Sequence, residues 1–209
     1  MKRGAIILLE GCDRAGKTTQ TLSLLHHLQD TYHIPCKLYR FPDRNSTIGQ
    51  QINSYLQNKS DLNDCAIHLL FSANRWELYD SIKKDIENGI TIIMDRYVLS
   101  GVAFSAAKGL DLDWCLSPDI GLPLPDIIFY LYLSVDDAKK RGGFGEERYE
   151  KEEFQRKVNS KFMEIKNKLP KLNWKTIEAN QTIDEITRQL VEESKNVIRS
   201  VESEPLQYF

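Results

Sequence analysis

No stretch of this 209-residue chain is apolar for long enough to cross a membrane. The N-terminal apolar run, Ala5-Ile6-Ile7-Leu8-Leu9, is short even against the ~7–15 residues of a signal-peptide core, and far below the ~20 of a membrane span. No signal peptide and no membrane partner are therefore expected. An excess of one charge is missing too: 28 Lys plus Arg stand against 30 Asp plus Glu, which leaves no basic field for a nucleic-acid backbone. Cysteines are few (Cys12, Cys36, Cys65, Cys115) and too far apart for metal-ligand spacing, so neither a disulfide framework nor a zinc site is expected. Reduced thiols suit a cytoplasmic protein, a nuclear pool included. With no secretory route visible, the N-x-[ST] triplets at Asn45, Asn58 and Asn180 are read as coincidence. Internal repeats and composition shifts are also lacking, so residues 1–209 are expected to form one domain with a substantial core.

What is present begins with Gly11-Cys12-Asp13-Arg14-Ala15-Gly16-Lys17-Thr18, which fits G-x-x-x-x-G-K-[ST] at every fixed position. Gly11 and Gly16 let the backbone curl so that its N–H groups point into an anion-sized cup, and a helix starting near Lys17 adds its positive end. Lys17 would reach the outer phosphates of a nucleoside triphosphate and the Thr18 hydroxyl would ligate Mg²⁺. A chance match in a glycine turn is the alternative. The context opposes it, because an apolar strand precedes the loop and Leu22, Leu25 and Leu28 recur at helical spacing behind it.

Further strands are expected at Lys37–Arg40, Ile90–Met94, Ile127–Leu133 and Trp174–Ala179, alternating with helices. That pattern predicts an α/β fold with about five parallel strands and helices on both faces. Ile48, Ile52 and Leu56 mark a short helix, a continuous helix is expected from Asp64 to about Asn88, and a final one carries Ile183, Ile186, Leu190, Val197, Ile198 and Val201. Arg44 follows the second strand, at the sheet edge where ligands bind, or is simply a solvated loop residue. Phe71 and Arg75 lie one turn apart and either pack in the core or frame a planar ligand. Asp95 and Arg96 end the third strand. They either form a structural ion pair or hold Mg²⁺ and phosphate. Arg141-Gly-Gly-Phe-Gly-Glu-Glu-Arg148 reads as a surface turn or as a lid that excludes water. Asn58-Lys59-Ser60-Asp61 spells a guanine-reading motif, but it lies in a polar turn and the only D-x-x-G is Asp13 to Gly16, inside the phosphate loop itself, so it is read as a decoy.

Taken in order, these stretches closely resemble the thymidylate kinase family of P-loop nucleoside monophosphate kinases. The resemblance rests on Leu9-Glu10-Gly11 to Thr18, Phe41-Pro42-Asp43-Arg44, Leu69 to Glu77, Asp95-Arg96-Tyr97 to Val102, Gly121 to Asp126 and Gly143 to Tyr149. It implies a P-loop NTPase fold, a lid over about 141–149, ATP as donor with Mg²⁺, dTMP as acceptor, and a homodimer packed through helices. By the same resemblance Asp13, Arg14, Ala15, Gly16, Lys17, Thr18 and Thr19 would surround ATP, with Arg141 and Asn180 reaching it from the lid and the last loop. Arg14 would be the catalytic arginine, in the eukaryotic-type arrangement, acting with Lys17, Arg96 and Asp95; Thr18 and Asp95 would hold the metal. The acceptor would meet Phe41, Arg44, Arg96, Ser100 and Gly101, with Asp13 on the sugar hydroxyl, Phe71 stacked on thymine, Arg75 on its edge, and Phe104 and Tyr149 enclosing it. A deoxynucleoside kinase, with Glu10 or Asp13 as base, is the nearest rival reading, and a GTP-dependent switch a more distant one.

Overall fold

The computed structural model describes residues 2–141 and 147–209. Its centre is a sheet of five parallel strands: β1 (Ile6–Glu10), β2 (Cys36–Arg40), β3 (Thr91–Asp95), β4 (Ile127–Tyr132) and β5 (Trp174–Glu178). Their order is β2-β3-β1-β4-β5, so β1 lies in the middle, with β3 on one side and β4 on the other. A parallel sheet covered on both faces needs apolar residues at successive positions, which is why β1, β3 and β4 read as continuous hydrophobic runs. Ile6, Leu8, Ile92 and Met94 pack on one face with Val158 and Phe162; Ile7, Leu9, Ile93 and Phe129 pack on the other with Leu24, Leu28 and Leu190.

The helices are α1 (Lys17–His26), continued by a π-helical turn at His27–Thr31, then α2 (Thr47–Leu56), α3 (Asp64–Trp76), α4 (Tyr79–Glu87) and α5 (Val98–Ala107). After them come α6 (Leu112–Leu116), α7 (Val135–Lys140), α8 (Glu152–Lys168) and α9 (Ile183–Val201). Caps are where the residue types place them. Ser46 and Asn63 accept from the first turns of α2 and α3, and Thr182 with Glu185 forms a reciprocal capping box on α9.

Two expectations are corrected. The helix from Asp64 is broken at Glu77-Leu78, where Leu78 N bonds the Arg75 carbonyl and its φ of −101° and ψ of 0° leave the helical range. The cause lies in the side chains: Arg75 and Trp76 are fastened to the segment at 118–119, while α4 must turn to bury Ile82 and Ile86 against the sheet. The buried face of α1 runs through Lys17, Thr21 and Leu24 and on to Leu28 in the π-helical turn, while Leu22 is exposed; Ile183 at the start of α9 is exposed as well. The proline-punctuated stretch from Trp114 to Pro125 contains the end of α6 and a 3₁₀ turn at Ser117–Asp119 whose Asp119 is fully buried.

Candidate active site

Because β1 separates the two halves of the sheet, its carboxyl end opens a crevice, and the residues after β1, β2 and β3 face one another across it. The loop after β1 makes the cup. Gly11 has φ of 144°, and a Cβ there would stand 2.5 Å from the Leu131 carbonyl oxygen, so no other residue fits without moving β4. Gly16, with φ of 92°, turns the chain into α1. Lys17 is buried, and its Nζ donates to the Cys12 carbonyl at 2.6 Å, spanning the cup. Burial, with the nearby Arg96 charge, pushes its ammonium down to about 8, against the pull of Asp13 and Asp95. Cys12 itself is a neutral thiol there, because burial pushes it up to about 11.

β3 pairs with β1 so that Leu9 is level with Asp95, and this register brings Asp95 to the loop. Its Oδ2 accepts from the Thr18 hydroxyl at 2.7 Å and from Arg40 Nε at 3.1 Å. A hydroxyl and a carboxylate side by side are hard oxygen donors, the set that suits Mg²⁺ when phosphates and water complete its shell. No cluster of three or more His, Cys, Asp or Glu ligands occurs among the described residues, so a wholly protein-held metal is not provided for.

The arginines are all held by carboxylates or carbonyls. Arg14, at φ of 65°, meets Glu150 at 3.1 Å, and Arg44 forks onto Glu147 at 2.7 Å. Arg96 donates to Asp13, to the Gly11 carbonyl and to Ser100 Oγ. Arg75 pairs with Asp119. Glu147 lies within the expected lid and Glu150 just past it, and each holds one of these cations at a cavity wall. Of that lid, residues 142–146 lie outside the described residues. Arg141 reaches the cleft, with Nη1 donating to the Arg14 carbonyl and Nη2 to that of Ala179. Arg148 turns away: it donates to the carbonyls of Tyr55 and Ser60, lies 4.0 Å over the Tyr55 ring and pairs with Asp61.

Ala15, Gly16, Lys17, Thr18 and Thr19 line a cleft of about 1020 Å³, closed on the far side by Ala179 and Gln181. Asn180 is exposed and does not line it; its neighbours on either side do. Beside the cleft is a smaller cavity of about 110 Å³ whose wall includes Phe71, Arg75, Ser100, Gly101, Phe104 and Tyr149. Phe104 and Tyr149 meet at 5.5 Å, Phe154 stacks on Tyr149, and Arg96 lies 5.2 Å over the Phe104 ring. A Cβ on Gly101 would come within 2.9 Å of the Arg75 guanidinium, so this glycine is what lets α5 approach it. Residue-level reasoning missed Asp119, Gln155, Glu147 and Glu150. Gln155 accepts from Asp13 N and donates to its carboxylate and to the Tyr149 carbonyl, tying the loop to the second cavity. Gln155 on α8 has no sequence signature, and Glu147 and Glu150 lie in the irregular stretch before that helix, where a carboxylate reads as a solvated surface charge; Asp119 stood in a more recognisable setting, a Pro-Asp turn before Gly121.

The cleft and the cavity share a wall: Asp13, Phe41, Pro42, Arg44 and Arg96 line both. A nucleotide switch needs one anion-lined chamber, whereas two that meet at cationic side chains suit passage of a phosphoryl group between bound molecules. The fold and site are those of a P-loop nucleotide phosphotransferase. A family model described as thymidylate kinase matches residues 9–190, and the chain belongs to the thymidylate kinase family. It is 54% identical over 190 residues to a thymidylate kinase of Dictyostelium discoideum, covering 91% of this chain and 84% of that one. The Homo sapiens thymidylate kinase is 46% identical over 206 residues, covering 98% and 96%. Among solved structures, a thymidylate kinase from Candida albicans superposes with a TM-score of 0.87 at 40% identity, over 100% of this chain and 99% of the other.

Proposed function

We propose that the chain transfers the γ-phosphoryl group of ATP to dTMP, giving dTDP for deoxynucleotide synthesis. The observation that carries this reading is the junction at Arg96 and Arg44, where the triphosphate cleft meets a cavity walled by aromatic rings and Arg75. An acceptor that already carries phosphate has an ionised oxygen and needs no strong base, so positioning and charge neutralisation supply the catalysis. Lys17 leaves the Cys12 carbonyl for the outer phosphates of ATP. Arg14, released from Glu150, neutralises the moving phosphoryl group, and Arg44 and Arg96 hold the acceptor phosphate. Thr18 and Asp95 would hold Mg²⁺, which would supply charge neutralisation to the phosphates. Asp13 meets the acceptor sugar, Phe71 stacks on thymine, and Phe104 with Tyr149 closes the apolar side.

A deoxynucleoside kinase would need a base at the acceptor. Glu10 lines neither cavity, and Asp13 is already bound by Arg96 and Gln155, so neither favours that reading. ADP release measured with dTMP, dUMP, dCMP, dGMP, dAMP and thymidine tests the proposal. Turnover of thymidine above that of dTMP would overturn it. Assembly as a homodimer is supported by α3, which exposes Leu69 and Trp76 beside exposed Leu62 and Trp114, and sedimentation at the monomer mass at micromolar concentration would count against it. A cytoplasmic setting is supported by four unpaired cysteines; no helix among the described residues is long and apolar enough to cross a membrane.

A further inference from the structure

Glu10, the last residue of β1, is fully buried but lines neither cavity. Its carboxylate nonetheless accepts three hydrogen bonds. Oε1 accepts from the backbone N–H groups of Tyr97 and Ser100, each at 3.0 Å, and Oε2 accepts from the Ser100 hydroxyl at 2.5 Å. Burial raises the pKa of this carboxyl, while the Ser100 bonds and the charges of Arg96 and Lys17 act against the rise and favour the ionised form.

Two features of the neighbouring segment explain why a carboxylate is placed there. α5 has no side-chain cap of its own at Tyr97, so Glu10 supplies from another strand the acceptor that its first turn lacks. Arg96, directly before it, stands at φ of 67°, a left-handed conformation that is unfavourable for a non-glycine residue. Its N–H bonds the Leu9 carbonyl on one side, and the chain beyond it is gripped by Glu10 on the other. A cap needs only the two N–H bonds. The third bond does something else: the Ser100 hydroxyl that donates to Glu10 has its oxygen turned to accept Arg96 Nη1 at 3.0 Å. Oε2, the Ser100 hydroxyl and Arg96 thus form one chain, running from a dry position under the sheet edge to the wall that the cavities share.

We propose that Glu10 is a positioning residue for the acceptor phosphate, aiming the Arg96 guanidinium through Ser100. The proposal rests on the reading of Arg96 as a holder of that phosphate. It is tested by calorimetric binding of dTMP and of thymidine, which differ only in the phosphate. Glu10→Gln keeps the size and loses an acceptor and the charge; dTMP should bind about tenfold more weakly, or ~1.4 kcal/mol, and thymidine within about twofold of wild type. Equal losses for both ligands, or no loss for dTMP, would overturn the proposal. Should Glu10→Gln fail to fold, Ser100→Ala leaves the backbone caps on Glu10 and should give the same selective loss. Ser100 also faces the cavity, so its effect is measured again in an Arg96→Ala background. There it should vanish, and a persisting loss would mean direct contact and sink the relay. Arg96→Ala alone separates the two layers. If it leaves the dTMP-to-thymidine ratio unchanged, the phosphate reading falls and the proposal with it. If it collapses the ratio while Glu10→Gln and Ser100→Ala do not, only the relay falls.

Discussion

Asp119 holds Arg75 by two parallel hydrogen bonds, Nε to Oδ1 at 3.0 Å and Nη2 to Oδ2 at 2.6 Å, and both side chains are buried. Ser72 adds a third donor to the same carboxylate at 2.7 Å. The fork fixes the guanidinium plane and leaves Nη1 with no protein acceptor among the described residues, beside the cavity that Gly101 also lines. A guanidinium only donates, so it suits the O4 carbonyl of thymine and opposes the amino group cytosine carries there.

Base choice should therefore depend on Asp119 as well as on Arg75. Wild type is expected to prefer dTMP, to use dUMP less well by the ~1–3 kcal/mol of one methyl group, and to use dCMP near background. Arg75→Ala and Asp119→Asn should both lower kcat/KM for dTMP and narrow the gap to dCMP. Asp119→Ala, which leaves a buried cation unpaired, should also lower stability by about 3–5 kcal/mol in denaturant titration. Undiminished discrimination in all three would leave the helix carrying Arg75 with a packing role alone.

Gly101→Ala sets helix propensity against packing at one atom. In the middle of α5 alanine is the better helix former by about 1 kcal/mol. The added methyl, however, meets a guanidinium that Asp119 prevents from moving aside. Overpacking of this kind costs about 1–3 kcal/mol, more than the helix propensity returns, so thermal stability should fall modestly while kcat/KM for dTMP falls by tenfold or more, as ~1 Å misplacements do. Unchanged kinetics would show that Arg75 has room to shift.

Lys17 gives a pH prediction. Its ammonium loses a proton near pH 8 in the free protein, so kcat/KM for ATP should decline above about pH 8. The stability sign is opposite to that of a paired lysine. Between about 8 and the ~10.4 of a free lysine the unfolded chain binds the additional proton, so this group makes stability increase with pH across that window. Lys17→Met should fold, lose activity by orders of magnitude, and lose the pH-dependent increment. A flat ATP profile from pH 7 to 9.5 would contradict the depressed ammonium.

Arg14 is expected to act on the transition state. Arg14→Gly should fold well, since glycine adopts φ of 65° without strain. Single-turnover kcat should fall by about a thousandfold, with little change in ATP affinity. A change confined to KM would assign Arg14 to ground-state binding.

Much of the frame was legible in the sequence because β1, β3 and β4 are buried on both faces, and continuous apolar runs announce such strands. The phosphate loop was legible because glycines at Gly11 and Gly16 are demanded by backbone angles. Legibility stopped where tertiary contacts overrode local pattern. Nothing in Asp64–Glu87 marks the break at Leu78, which exists because Arg75 and Trp76 are tied to a distant turn. The π-helical turn after His26 is likewise silent in composition. At the site, Lys17 was legible from the loop motif and Arg44, Arg75 and Arg96 from their places at strand ends and on a helix, with roles supplied by the family pattern, but the carboxylates that hold the arginines were not. Asp119, Glu147 and Glu150 matter through their partners, and partners are set by folding rather than spacing.

Trp76 follows Arg75 directly, donates its indole N–H to the Pro118 carbonyl at 2.8 Å and rests 5.3 Å from the Tyr79 ring. It touches neither cavity, yet the carbonyl it grips belongs to the residue beside Asp119. The protein thus carries an intrinsic optical probe: any occupant that shifts the guanidinium–carboxylate pair also perturbs an indole hydrogen bond, in a wavelength range where thymine does not emit.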